Sequence, residues 1–100
     1  MKVLAIIDVA EGAPLDQIKS RMQEELLASW SLFVSGAIRE AYLTSSPTRV
    51  VFILEADDAP DALKRLQQLP LISAGFFRVS LEELRPFANW SRLFPAGSAE

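Results

Sequence analysis

Leu66–Phe94 reads LQQLPLISAGFFRVSLEELRPFANWSRLF, and this stretch decides the fold. It closes a short helix, turns through Pro70, and enters an apolar strand led by Gly75. It then leaves through a tail that carries Phe87, Trp90, Leu93 and Phe94. Pro86 stops strand pairing, so the aromatic residues beyond it stand outside the sheet. Such a tail is expected to pack on something, and a second copy of the chain is the simplest partner. The competing expectation is that it folds back over a pocket of its own chain.

Working outward, periodicity gives four strands and two helices. Lys2–Val9 is rich in Val, Ile and Leu and closes at Glu11-Gly12, which suits a strand ending in a turn. From Asp16 to Phe33 the residues Leu15, Ile18, Met22, Leu26, Trp30 and Phe33 recur every three or four positions, with Lys19, Arg21, Gln23 and Glu24 on the other side. That spacing predicts an amphipathic helix stopped near Gly36. Ile38–Thr44 and Arg49–Ala56 read as a hairpin around Ser45-Ser46-Pro47-Thr48. Asp58 caps a second helix with Pro60 in its first turn, Leu63, Leu66 and Leu69 as its buried stripe, and Pro70 as its end. Gly75–Leu84 supplies the fourth strand.

The order β-α-β-β-α-β predicts an α+β, ferredoxin-like domain spanning residues 1–100: a four-stranded antiparallel sheet with both helices on one face, and residues 86–100 as a C-terminal tail. The final PAGSAE is expected to fray. Val3, Ala5 and Ile7 alternate with Leu4 and Ile6, and Phe52 and Leu54 with Val51 and Ile53, so the central strands are apolar on both sides. Helices cover only one side. A second subunit packed sheet to sheet covers the other, which predicts self-association as a homodimer or a ring of dimers.

Composition narrows the chemistry. A net charge of −3 and a pI near 4.9 give no electrostatic case for nucleic acid or an anionic membrane surface. With no Cys and no His among 100 residues, disulfides, thiolate nucleophiles, imidazole bases and the usual zinc ligand sets are excluded. Neither a metal nor a cofactor is expected. No targeting segment is read in MKVLAIIDVAEG, so the expected compartment is the cytoplasm.

The run LQQLPL, the glycine-led strand GFFRVSLEELRPF and the tail residues Trp90, Leu93 and Phe94 resemble the muconolactone isomerase-like group of the dimeric α+β barrel superfamily. The resemblance is sharpest over roughly the last forty residues. It implies two sheets closed into a barrel by dimerisation, a small pocket between sheet and helices in each protomer, and cofactor-free proton transfer next to a lactone carbonyl. Histidines line the isomerase pockets and this chain has none, so catalytic residues do not transfer one by one.

A proton-transfer site needs a base near a carbon acid and a donor or cation for the enolate oxygen. Asp8, Glu55 and Tyr42 are the candidate catalytic residues. Trp30, Phe33, Glu40 and Arg78 are candidates for binding a small apolar carbonyl compound, and Arg39 and Arg49 are further cations. Each has a structural reading beside the functional one. Asp8 and Glu55 sit where strands leave the core and simply meet water, Glu40 and Tyr42 share an edge-strand face, Arg78 makes an interface ion pair, and Trp30 and Phe33 are ordinary core. Two functions stay open: a cofactor-free isomerase or lactone-processing enzyme, or a non-catalytic dimeric module that binds a small molecule. Oxygenation of an activated aromatic compound also occurs in the superfamily, and nothing in this sequence selects it.

Overall fold

Alternation along the first strand sorts the two faces of the sheet. In β1 (Lys2–Val9), Val3, Ala5 and Ile7 are buried, while Leu4, Ile6 and Asp8 on the other side are half-buried. The computed structural model describes residues 1–94. After β1 come α1 (Leu15–Val34), β2 (Ile38–Leu43), β3 (Val50–Glu55), α2 (Ala59–Leu66), α3 (Pro70–Ser73) and β4 (Phe77–Leu84), with a 3-10 turn at Ala88–Leu93. The strands form one antiparallel sheet in the order β2-β3-β1-β4. This is the α+β, ferredoxin-like architecture expected from the element order.

One core joins the helices to a single face. Ala5, Ile7, Ile38, Phe52 and Leu54 from the sheet meet Leu32 of α1, Leu66 of α2, Leu69 just before α3 and Ile72 within it. A smaller cluster of Val3, Ala56 and Ala62 seats the start of α2. Burying a Leu or Ile side chain contributes about 1.5–3 kcal/mol, so this face supplies most of the drive to fold. The opposite face keeps Leu4, Ile6, Val51 and Ile53 half-buried.

Local chemistry explains the boundaries. Asp58 accepts a 2.8 Å hydrogen bond from the Asp61 amide and caps α2 as expected, and Glu83 reaches across from β4 to accept from the Ala59 amide at 2.7 Å. The reading of Pro70 as a helix end is corrected. Helix α2 stops at Leu66, and Pro70 opens the separate α3, because proline needs no amide partner in a first turn. Gly75 likewise belongs to the helix end rather than to the strand. Its φ of 80° lets the Phe76 amide reach the Leu71 carbonyl and its own amide reach Ile72, closing α3 with a left-handed cap.

The stripe read on α1 is also corrected. Its buried residues are Ile18, Glu25 and Leu32, whereas Leu15, Leu26, Trp30 and Phe33 are exposed. The helix carries more apolar residues than one core-facing line can hold, and the larger apolar stripe is not the buried one. In α2 the inward residues are Ala62 and Leu66, with Leu63 at the margin.

Beyond β4, Phe87, Trp90, Leu93 and Phe94 are 59–75% exposed, and Phe87 and Trp90 pack only edge-to-face with each other, 4.9 Å between centroids. The tail therefore does not fold back over a pocket within the described residues. The expectation of a frayed PAGSAE lies outside them. Among the described residues, no helix is long and apolar enough to cross a membrane.

Candidate functional site

A cleft opens where α1 crosses the β2–β3 side of the sheet. Its outer lobe, about 660 Å³, is walled by Leu26, Trp30, Phe33, Ile38, Ala41 and Phe52. The inner lobe, about 410 Å³, runs on past Leu26, Ser29, Ala41 and Phe52 to Met22, Glu25, Tyr42, Leu69 and Phe77. Each lobe falls within the size range of small-molecule sites. The outer wall is built by the surplus apolar residues of α1: Trp30 and Phe33, three apart, stack with centroids 5.5 Å apart and an interplanar angle of 28°. A small side chain at Ala41 leaves room beneath them.

The polar centre of the cleft is Glu25. It is 6% exposed and is the one charged residue buried among the described residues. Its Oε1 accepts a 2.9 Å hydrogen bond from the Leu71 amide at the start of α3, 46 residues away in sequence. Every buried side-chain polar atom among the described residues has a partner, and Oε2 has none, so Oε2 keeps some exposed surface, and Glu25 lines the inner lobe. Burial pushes the Glu25 carboxyl above its ordinary value, against opposing pulls from the Leu71 amide and the Arg21 charge. A carboxyl held this way exchanges a proton closer to neutrality than a solvated one.

The residues singled out from sequence are not brought to one cavity. Trp30 and Phe33 line the outer lobe and Tyr42 borders the inner one. The Tyr42 hydroxyl donates to Glu40 Oε1 at 2.6 Å, an exposed pair on one strand face, and that hydrogen bond pushes the phenol pKa up. Asp8 lies on the sheet face away from the helices, held by Arg78 at 2.9 Å and by Arg49 at 3.2 Å. The Arg78 hydrogen bond, reinforced by its charge and that of Arg49, keeps Asp8 below the usual carboxylate range against its desolvation. These three groups, with Ile6 and Ser80, surround a separate depression of about 360 Å³. Glu55 is at the other end of β3, accepting from the Met1 amino group at 2.9 Å, which lowers its pKa. Arg39 sits at an irregularity in the β2–β3 register and donates to the Gly36 carbonyl at 2.7 Å.

Glu25 has no place in the sequence reading, which follows the apolar residues of α1 and sets only Lys19, Arg21, Gln23 and Glu24 opposite them. A signal was there: Ile18, Glu25 and Leu32 are spaced seven apart, which places a carboxylate on one helix line between two aliphatic residues.

The fold and the cleft define an α+β sheet domain with a solvent-open apolar site over one side of its sheet. No family model and no curated sequence matches the chain. Among solved structures it is similar to 5-chloro-2-hydroxyhydroquinone dehydrochlorinase (TftG) from Burkholderia phenoliruptrix AC1100, in complex with 2,5-dihydroxybenzoquinone. The TM-score is 0.65 at 18% identity, over 85% of this chain and 94% of that one. The likeness establishes a shared fold, the α+β sheet architecture expected from the element order.

Proposed function

We propose that this protein is a cofactor-independent enzyme that moves a proton on a small, largely apolar ring carrying a carbonyl group, with Glu25 as the acid-base residue. The observation that carries this reading is a buried carboxyl of raised pKa, with one oxygen outside any hydrogen bond, that lines a cleft of fitting size. In this reading a planar ring lies against Trp30 and Phe33. Glu25 Oε2 takes a proton from the carbon next to the carbonyl, the C–H electron pair moves into the ring as an enolate, and the same carboxyl returns the proton at the far end of the shifted double bond. Nothing is gained or lost overall, so the reaction class is isomerisation, and the lactones of the resembled isomerases are the first substrates to test. A ring compound is also what TftG, of like fold, holds in its complex.

The working unit in this proposal is a homodimer or a ring of dimers, sheet against sheet. Four strands about 4.8 Å apart and about six residues long give a flat face of about 400 Å², against about 800 Å² per partner in a standard interface. The exposed aromatic residues of the tail supply the remainder by latching onto a neighbouring copy.

One observation favours a second reading, a non-catalytic binding module. No Arg or Lys lines either lobe of the cleft, so the enolate oxygen has no cation beside it. The test separates the two. Unsaturated lactones and small quinones are screened by thermal shift, where any ligand of the folded state raises Tm. Binders are then incubated with protein in D2O and followed by proton NMR. The enzyme reading requires deuterium to enter the position next to the carbonyl with parent protein and not with Glu25→Gln. Binding without exchange supports the module, and no binding by either class overturns the cleft as the site.

A further inference from the structure

The two lobes of the cleft divide its chemistry between them. Glu25 lines only the inner lobe, and Trp30 and Phe33 line only the outer one. Leu26, Ser29, Ala41 and Phe52 border both, so these four form the neck that joins them. Helix geometry sets the separation. Trp30 and Phe33 lie five and eight residues beyond Glu25, which is roughly 7.5 Å and roughly 12 Å along the α1 axis. A planar group resting on the aromatic wall and a reacting carbon beside Glu25 therefore occupy different lobes. One ligand reaches both only through the neck.

The neck is open because its sheet side is small. Ala41 stands opposite Phe52 in the β2–β3 register and shares its face, while Leu26 and Ser29 supply the helix side. A longer side chain at position 41 projects into that passage. Charge narrows the ligand further. Among the described residues no Arg or Lys lines either lobe, and the charged group there is Glu25. A carboxylate or phosphate on the ligand sits beside a buried carboxyl with no cation to meet it, and an unpaired charge taken out of water is costly. The outer wall asks for the opposite chemistry. Trp30 and Phe33 are 60% and 46% exposed, and a planar apolar group covers their rings.

We infer that the ligand of this cleft is an uncharged molecule in two parts: a ring carbonyl in the inner lobe beside Glu25, joined past Ala41 to a planar apolar group that packs on Trp30 and Phe33 in the outer lobe. This rests on the cleft and the acid-base residue proposed above and names the substrate class. Lactones that bear an aryl group belong to it, and lactones that bear a free carboxylate do not.

Three unsaturated lactones test the parts: the bare ring, the same ring with a phenyl substituent, and the same ring with a carboxymethyl substituent. Titration calorimetry on the full chain at pH 7 gives a dissociation constant for each. The phenyl lactone is expected to bind at least about tenfold more tightly than the bare ring, and the carboxylate at least about tenfold more weakly. Trp30→Ala and Ala41→Leu should each bring the phenyl and bare lactones to nearly equal affinity. Both positions are exposed, so neither change disturbs the core. Lys19→Ala, on α1 but outside both lobes, should keep the full ratio. Equal binding of bare and phenyl lactones, or a ratio unmoved by Trp30→Ala and Ala41→Leu, overturns the two-part ligand. A carboxylate bound as tightly as the bare ring overturns the requirement for an uncharged one. Neither result bears on the chemistry of Glu25, which deuterium exchange reads separately. Binding in the expected pattern without exchange overturns the enzyme reading alone, and no binding by any of the three lactones overturns both.

Discussion

Replacing Glu25 separates the hydrogen bond from the charge. In Glu25→Gln the amide oxygen still accepts from the Leu71 amide, and a group that burial penalises when ionised becomes neutral. The sign follows from linkage. A carboxyl raised in the folded state binds its proton more tightly there than in the unfolded chain, so its favourable contribution is complete below the ordinary value near 4.5 and is lost as pH rises through the raised folded value. Above that window the parent carries a buried charge and the glutamine variant does not. The variant is therefore expected to match the parent near pH 4 and to exceed it at pH 8 by about 1 kcal/mol, or roughly 4–8 °C in Tm for a domain of this size. Glu25→Ala removes the acceptor as well and leaves the buried Leu71 amide unpaired, a cost of about 1–3 kcal/mol at either pH. Calorimetric melting of the three proteins at pH 4 and pH 8, at one protein concentration, reads both effects. A glutamine variant less stable than the parent at pH 8, or a difference unchanged between the two pH values, refutes the argument that Glu25 is a desolvated carboxyl.

Two further outcomes are expected. Asp8 is held below the usual carboxylate range by Arg78 and Arg49, so its contribution to stability is present above its ordinary value near 3.8 and disappears as pH falls through the lowered one; Asp8→Asn should be less stable than the parent at pH 7 and should approach it at pH 2 in urea melts. Truncation after Phe87 removes Trp90, Leu93 and Phe94, three side chains at least 59% exposed. It should weaken the oligomer in light scattering while leaving the far-ultraviolet circular dichroism of the sheet intact, and an unchanged mass contradicts a latch between copies.

The fold was legible because strands and helices announce themselves locally. The alternation at Val3–Ile7, the cap at Asp58 and the glycine at Gly36 each act over a few residues, and each appears where the sequence placed it. Errors arose where a local cue had two uses. Proline opens a helix as readily as it closes one, so Pro70 was assigned to the wrong side of the α2–α3 break. On α1 the longer apolar stripe lines a cleft and the shorter one meets the core, which periodicity cannot distinguish because both repeat at the helical spacing.

The sequence by itself determined that this is an antiparallel sheet with helices on one face, built without cysteine or histidine, and that both faces of its central strands are apolar. Only the tertiary structure decided the site. Glu25 becomes a buried carboxyl because α3 brings the Leu71 amide to it from 46 residues away, and Asp8 becomes part of an ion cluster because strand pairing sets Arg78 beside it across 70 residues. Desolvation and ion pairing depend on which distant groups share a few ångströms of space, and that is fixed by packing rather than by order along the chain.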